Sequence, residues 1–209
     1  MRKTLTLFWA CMLCMFGLTN FATAQNRFRP EKGALDQVQK AVESSRASWL
    51  NMFPAGELPE FGFKDQQEKA LAIPGKPIEV FNMFRGFDGT IQAQPAGEFL
   101  VPLLVDGRTR VFLTVAYFEN KWQVVAAGEM NLAQEAAPYI SRAGKAGRPL
   151  VWLRNLNHSA DFIADAGAAA TDAALEFTPL STAARASFKS PIAYRELEAR
   201  IGKMPVQFD

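Results

Sequence analysis

Apolar residues recur at helical spacing early in the chain. Over residues 35–52 they are separated by Gln, Lys, Glu and Ser, which predicts an amphipathic helix that ends before Pro54 and Gly56. The apolar stripe consists of Leu35, Val38, Val42, Trp49 and Phe53. A short second helix is expected over Lys64–Leu71, because Asp65 and Glu68 lie where the helix dipole favours acids.

Two further helices are predicted in the second half of the chain. One spans Asn131–Ala143, with a kink or break expected at Pro138 and an end at Gly144. The other begins at Ser190-Pro191 and ends at Gly202. Its predicted apolar stripe consists of Tyr194, Leu197 and Ile201.

The centre of the chain has the pattern of an antiparallel meander. Three apolar, β-branched runs cover Glu98–Val105, Arg108–Phe118 and Lys121–Ala127. Asp106-Gly107 joins the first two, and both residues tolerate the positive φ of a type I′ turn. Glu119-Asn120 joins the second and third. Further strands are predicted over 77–84, 150–156, 161–164 and 175–180.

This order of elements predicts an α+β fold. An antiparallel β-meander is covered by the N-terminal amphipathic helix and by the later helices. Over residues 35–127 the order resembles that of cystatin-like or PepSY-like secreted modules. The Gln-x-Val-x-Gly motif of cystatins is absent, so the resemblance implies no inhibitory residues here.

The N-terminus has the pattern of a bacterial Sec-type signal peptide. Arg2 and Lys3 precede an apolar run, and Ala22-Thr23-Ala24 matches the small-x-small cleavage site. We therefore expect residues 1–24 to be removed and the protein to be periplasmic or secreted. We expect three segments to follow the signal: a flexible lead-in over 25–34, an α+β domain over 35–182, and a C-terminal helical extension over 183–209 that packs on that domain.

Cysteine and charge content narrow the possible functions. Cys11 and Cys14 form a CxxC inside the signal, so the mature chain is expected to be cysteine-free. The chain has 23 Lys+Arg and 21 Asp+Glu, and the signal contains two of the bases, which leaves 21 of each. Such a balance does not favour nucleic-acid binding. No later run is long enough for stable membrane insertion, and the sequence does not indicate an oligomeric state.

Candidate chemistry is sparse. His158, the one histidine, is followed by Ser159 and Asp161, but a catalytic triad requires convergence in space and no Gly-x-Ser-x-Gly elbow occurs. The sequence has neither a metal-ligand pattern nor a phosphate loop, so no cofactor is predicted. The Gly144–Gly147 segment, flanked by Arg142 and Arg148, could hold an anion through backbone amides and basic side chains. Possible acid/base carboxylates are Glu98, Asp106, Glu119 and Glu129.

The segment 81–89 combines three phenylalanines, a methionine and an arginine with two glycines. Aromatic residues, Met and Arg are enriched at the centres of protein interfaces. If exposed, Phe84, Arg85 and Phe87 would form a partner-binding patch; facing the sheet, the phenylalanines would belong to the core, the more common arrangement.

Two functions are therefore expected from the sequence. The first is an exported non-enzymatic module that binds a protein or peptide partner in the cell envelope. The alternative is a small-ligand carrier or hydrolase with a pocket between helix and sheet, lined by Trp49, Phe112 and Trp122.

Overall fold

The computed structural model describes residues 27–28, 31–167 and 171–205. Its centre is a sheet of nine strands, most of them antiparallel, in the order β5-β4-β3-β2-β6-β7-β8-β9, with β1 beside β3. The strands are β1 (Ile73–Pro74), β2 (Ile78–Arg85), β3 (Ile91–Val105), β4 (Arg108–Phe118), β5 (Lys121–Gly128), β6 (Leu150–Asn155), β7 (Ala160–Asp165), β8 (Glu176–Pro179) and β9 (Ile192–Ala193). The predicted mixed α+β class with an antiparallel sheet is confirmed.

Helices cover both faces of this sheet. They are α1 (Lys32–Ser44), α2 (Arg46–Leu50), α3 (Gln66–Ala70), α4 (Met130–Ala146), α5 (Ser181–Arg185) and α6 (Tyr194–Ile201). Short 3-10 turns occupy Leu58–Phe61 and Asp172–Ala174.

The predicted meander is present, and its turns explain why. Asp106 and Gly107 have φ values of 51° and 72°, and Glu119 and Asn120 have φ values of 50° and 62°. Left-handed backbone at both central residues matches the twist of the flanking strands, so each pair of strands closes without splaying. Val101 therefore pairs with Leu113, and Tyr117 pairs with Trp122.

The connection after the meander determines the topology. From β5, which lies at the sheet edge, the chain crosses through α4 and places β6 beside β2. This is the one parallel pair among the described strands, and it aligns Val80 with Trp152. A crossover helix is the usual link between parallel strands. The sheet therefore continues from β2 into the β6–β7 hairpin.

The alternation of side chains along β4 separates two of the hydrophobic clusters. Val111, Leu113 and Val115 face Val38, Val42 and Trp49 of α1 and α2. Phe112, on the opposite face, packs with Leu100 and Trp152 under Ala133 and Ala136 of α4. A third cluster includes Phe81, Met83, Phe162, Phe188 and Leu197.

Three helix predictions differ from the structure. The last helix begins at Tyr194 rather than at Ser190-Pro191, because Ile192 and Ala193 form β9. The predicted helix over 35–52 is divided at Ser45, whose hydroxyl donates a 2.8 Å hydrogen bond back to the Ala41 carbonyl. Helix α4 is not divided at Pro138, and it runs past Gly144 to a left-handed cap at Gly147 (φ 67°). Pro138 is exposed, so water can satisfy the carbonyl that its missing N–H leaves free.

The segments predicted to flank the domain pack into its core. In the lead-in, Phe28 is only 1% exposed, and its ring centroid lies 5.0 Å from that of Phe81 and 4.8 Å from that of Tyr194. In the C-terminal region, Phe177 of β8 pairs with Ile192 of β9. The predicted stripe Tyr194, Leu197 and Ile201 is buried. Residues at both ends of the described chain thus complete one cluster.

No helix in the described ranges is long and apolar enough to cross a membrane. The signal peptide predicted over 1–24, with Cys11 and Cys14, lies outside the residues that the structure describes.

Candidate functional site

A groove of about 780 Å³ opens at one end of the sheet, between α1 and the C-terminal half of α4. Its position follows from strand register. Val151 pairs with Glu79, and β6 begins only at Leu150, so the segment 74–77 has no neighbouring strand on the β6 side. The segment Gly147–Leu150 borders the gap instead. This volume lies in the range of about 300–1,000 Å³ that is typical of small-molecule sites.

Both helices present a helical stripe to the groove. Helix α1 contributes Lys32, Leu35, Asp36 and Gln39. Helix α4 contributes Ala137, Ile140, Ser141, Ala143, Gly144 and Lys145. The α1 residues are spaced i, i+3, i+4 and i+7, as are Ala137, Ile140, Ser141 and Gly144 of α4, so one face of each helix lines the cavity. Ala143 and Lys145 widen this lining in the last turn of α4. These faces lie beside the stripes that pack on the sheet.

The floor of the groove is held by a close backbone contact. The Gly75 amide donates a 2.7 Å hydrogen bond to the carbonyl of Pro102. A Cβ atom at Gly75 would lie 2.9 Å from the Pro102 ring and 3.3 Å from a methyl of Leu104. Only glycine allows this approach, so the floor is pre-formed by the fold.

The charged side chains of the groove are mostly basic. It is lined by a single acid, Asp36, and by four basic residues: Lys32, Lys76, Lys145 and Arg148. Arg148 is bound to Asp165, with 2.8 Å between guanidinium nitrogen and carboxylate oxygen. The three lysines form no salt bridge with any residue that the structure describes. The groove therefore combines apolar walls with an excess of positive charge.

The segment Gly144–Gly147, considered as a possible anion-binding loop, is the end of a helix. Gly144, Lys145 and Ala146 form the last turn of α4, and the Gly147 and Arg148 amides donate to the carbonyls of Gly144 and Ala143. This helix-capping arrangement uses the backbone donors that an anion would need. Lys145 and Arg148 contribute to the groove through their side chains alone.

The predicted pocket residues do not converge. Trp49 is buried in the α1 cluster, and Trp122 packs at its margin, with its ring centroid 5.1 Å from that of Phe99. Phe112 lies on the other face of β4, with its ring centroid 5.5 Å from that of Trp152. Adjacent residues of a strand point to opposite faces, which separates Phe112 from the Val111 and Leu113 side. None of the three lines the groove.

The aromatic segment is divided between core and surface. Phe84 is half-buried, whereas Phe87 is 116% exposed, which corrects the expectation that a core position was the more common arrangement for it. The Arg85 guanidinium donates to the Gly202 carbonyl after α6, and its amide donates to the Asn157 side chain (2.8 Å). Arg85 thus fastens this loop to the end of α6, and Phe87 projects from it.

A buried charge cluster lies on the α4 side of the sheet. Asp161 accepts hydrogen bonds from Trp152 (2.8 Å), Arg154 (3.1 Å) and Thr182 (3.1 Å). Arg154 also reaches Glu129, at 3.2 Å. Burial raises the pKa of Glu129, although the nearby Arg154 charge opposes this. Glu98 also interacts with the Arg154 charge, so two of the candidate acid/base carboxylates, Glu98 and Glu129, lie near this arginine.

Asp161 does not form the hydrogen bond to His158 that a catalytic triad requires. Its carboxylate is occupied by Trp152, Arg154 and Thr182, and burial lowers the pKa of His158. No cluster of three or more His, Cys, Asp or Glu side chains is arranged to hold a metal ion within 27–28, 31–167 and 171–205.

Glu79 is the most perturbed carboxyl near the groove. It is the second residue of β2 and pairs with Phe99 of β3 on one side and with Val151 of β6 on the other. Burial, with a smaller contribution from the Glu31 charge, raises its pKa from 4.5 to about 7. It directly follows Ile78, which lines the groove.

The chain matches no known protein-family model, no curated protein and no solved structure.

The residues of the groove were mostly missed by sequence reasoning. Lys32, Lys76 and Ile140 come from separate elements, and no motif joins them. A usable signal was the second stripe on each helix, at i, i+3, i+4 and i+7, which mixes polar and apolar side chains. Such a stripe indicates a face that lies neither fully in the core nor fully in solvent.

Proposed function

We propose that this protein binds a small, largely apolar molecule in the groove between α1 and α4. The observation that carries the proposal is the cavity of about 780 Å³, whose walls come from two helices and the end of the sheet. Among the two functions expected from the sequence, this supports the small-ligand carrier. The proposal assigns binding and no catalytic step.

Export remains part of the proposal. The signal pattern over residues 1–24 supports binding in the periplasm or in the external medium. The resemblance of element order to cystatin-like or PepSY-like modules remains a prediction, and the proposed binding does not depend on it.

A groove-filling substitution tests the proposal. Ala137 lines the groove on α4, and Gln134 is exposed on the same helix outside it. We expect the neutral fluorescent probe N-phenyl-1-naphthylamine to bind the wild-type protein saturably. Ala137→Trp should weaken this binding about tenfold, a loss of about 1.4 kcal/mol, and Gln134→Trp should leave it unchanged. Absence of saturable binding, or equal binding by the Ala137→Trp protein, would refute the proposal.

A second candidate function is binding of a protein or peptide partner through the Phe84–Phe87 loop. The full exposure of Phe87, on a loop that Arg85 anchors, supports it. A photo-crosslinking residue at position 87, expressed in the native cell envelope, should give one discrete adduct. The same residue at Glu57, which is also exposed, provides the control. Identical adducts at both positions, or none at 87, would remove this candidate.

A further inference from the structure

We infer that the ligand of the groove is an amphiphile with a single acidic head, such as a free fatty acid. Its apolar tail would lie between α1 and α4, and its head would lie among the lysines at the rim. This inference rests on the proposed small-ligand function and names the chemical class of that ligand.

Charge complementarity supports an acidic ligand. The whole chain carries a formal net charge of only +2, yet beside the Arg148–Asp165 pair the groove has three lysines and one acid. Such an excess of one sign at a cavity with apolar walls attracts a ligand of the opposite sign. This positive charge would repel a cationic ligand and would not attract a neutral one.

The three lysines come from separate elements of the fold. Lys32 is the first residue of α1, Lys76 lies between β1 and β2, and Lys145 is in the last turn of α4. Their flexible stems can lie along the apolar wall while the ammonium groups meet a head at its edge. Lys145 also complements the dipole at the C-terminus of α4, but that explanation does not apply to Lys32 or Lys76.

The backbone around the groove favours a carboxylate head over a phosphate. Phosphate groups of nucleotides are commonly held by free backbone amides at glycine-rich turns. Here the Gly147 and Arg148 amides are bound to helix carbonyls. Recognition therefore depends on side-chain charge, while the half-buried Leu35, Leu104 and Ile140 offer apolar surface to a tail. This combination fits a carboxylate attached to a hydrocarbon chain.

Three ligands with the same tail test the inference. Dodecanoate, dodecanol and dodecyltrimethylammonium are titrated into the chain without its first 24 residues, at pH 7.5 and below their aggregation limits, with affinity measured by displacement of N-phenyl-1-naphthylamine. We expect dodecanoate to bind about tenfold tighter than dodecanol. The Lys76→Gln/Lys145→Gln protein should lose this preference and keep its affinity for dodecanol. Lys121→Gln, an exposed lysine of β5 outside the groove, should behave as wild type.

The outcomes separate the inference from the proposed function. If dodecanol or the cation binds as tightly as dodecanoate, the acidic class is wrong and the small-ligand function stands. If the naphthylamine binds but none of the three ligands displaces it, the acidic-amphiphile class is wrong and the small-ligand function stands. If the naphthylamine itself does not bind, both fall. Equal loss of dodecanoate and dodecanol binding in the double variant would also overturn the inference, because the lysines would then shape the cavity rather than recognise charge.

Discussion

The backbone of Gly75 lies against Pro102, with a 2.7 Å hydrogen bond from the Gly75 amide to the Pro102 carbonyl. This contact joins the segment before β2 to the C-terminal part of β3 and forms the floor of the groove. It leaves 2.9 Å between a hypothetical Cβ of residue 75 and the Pro102 ring, so the floor has no room for a side chain.

Gly75→Ala should therefore destabilise the protein. Backbone or the Pro102 ring must shift to accept the methyl group, and we expect a loss of about 1–3 kcal/mol in the free energy of unfolding. Urea denaturation followed by tryptophan fluorescence measures it. Gly56→Ala is the matched control, because nothing lies within 4 Å of a Cβ there. Equal stability of the two variants would show that the floor is not constrained.

Glu79 should make stability depend on pH near neutrality. Its folded pKa of about 7 lies above the unfolded value of 4.5, so the folded state holds the proton more tightly. The contribution to stability is therefore full below pH 4.5 and is lost as pH rises through 7. Because the Glu79 carboxyl is only partly buried, solvent screens its charge. Glu79→Gln should therefore raise the free energy of unfolding at pH 8 by only about 1–2 kcal/mol and give little or no gain at pH 4.

Denaturation curves at pH 4, 6 and 8 measure the effect of Glu79→Gln. Glu57→Gln, at an exposed position, supplies the comparison and should follow wild type at each pH. A gain for Glu79→Gln that is the same at pH 4 and pH 8 would contradict the assigned titration.

Asp161 should be essential for the stability of the sheet around it. It is 6% exposed and accepts hydrogen bonds from Trp152, Arg154 and Thr182. Asp161→Ala leaves these donors without their acceptor and should cost about 3–5 kcal/mol. Asp88→Ala, at an exposed turn, should cost much less than Asp161→Ala. A loss at Asp161 no larger than at Asp88 would mean that water replaces the carboxylate.

Phe84 and Phe87 should respond differently to truncation. Phe84→Ala removes a half-buried ring and should cost about 1–3 kcal/mol. Phe87→Ala removes a fully exposed ring and should change the free energy of unfolding by less than about 0.5 kcal/mol. Thermal denaturation of the two variants checks this. A large loss at Phe87 would mean that its ring is buried in solution.

The meander could be predicted from the local sequence pattern of its turns. Asp106-Gly107 and Glu119-Asn120 carry their turn preference in their own backbone energetics, so the two turns and the strand ends beside them could be predicted from neighbouring residues. The far end of β3 could not, because β3 begins at Ile91 rather than at the predicted Glu98. The end of α4 shows where local pattern fails. Gly144 and Gly147 are equally able to cap a helix, and the choice of Gly147 depends on the Arg148 amide reaching Ala143.

The candidate site was less accessible to prediction than the fold. Trp49, Phe112 and Trp122 are large and apolar, which is a property of core residues as much as of pocket residues. Their separation follows from the faces of β4. The segment 144–147 was considered as a loop that could bind an anion, but it is the end of α4 and its amides are used within that helix.

The sequence alone determined the α+β class, the hairpin-linked sheet and the apolar faces of its helices, because these depend on periodicity and turn chemistry over a few residues. The tertiary structure alone decided that β6 lies parallel to β2, that a gap therefore remains beside the segment 74–77, and that Lys32, Lys76 and Lys145 meet there. Contacts between residues far apart in the chain arise from the packing of complete elements, and no local pattern encodes them.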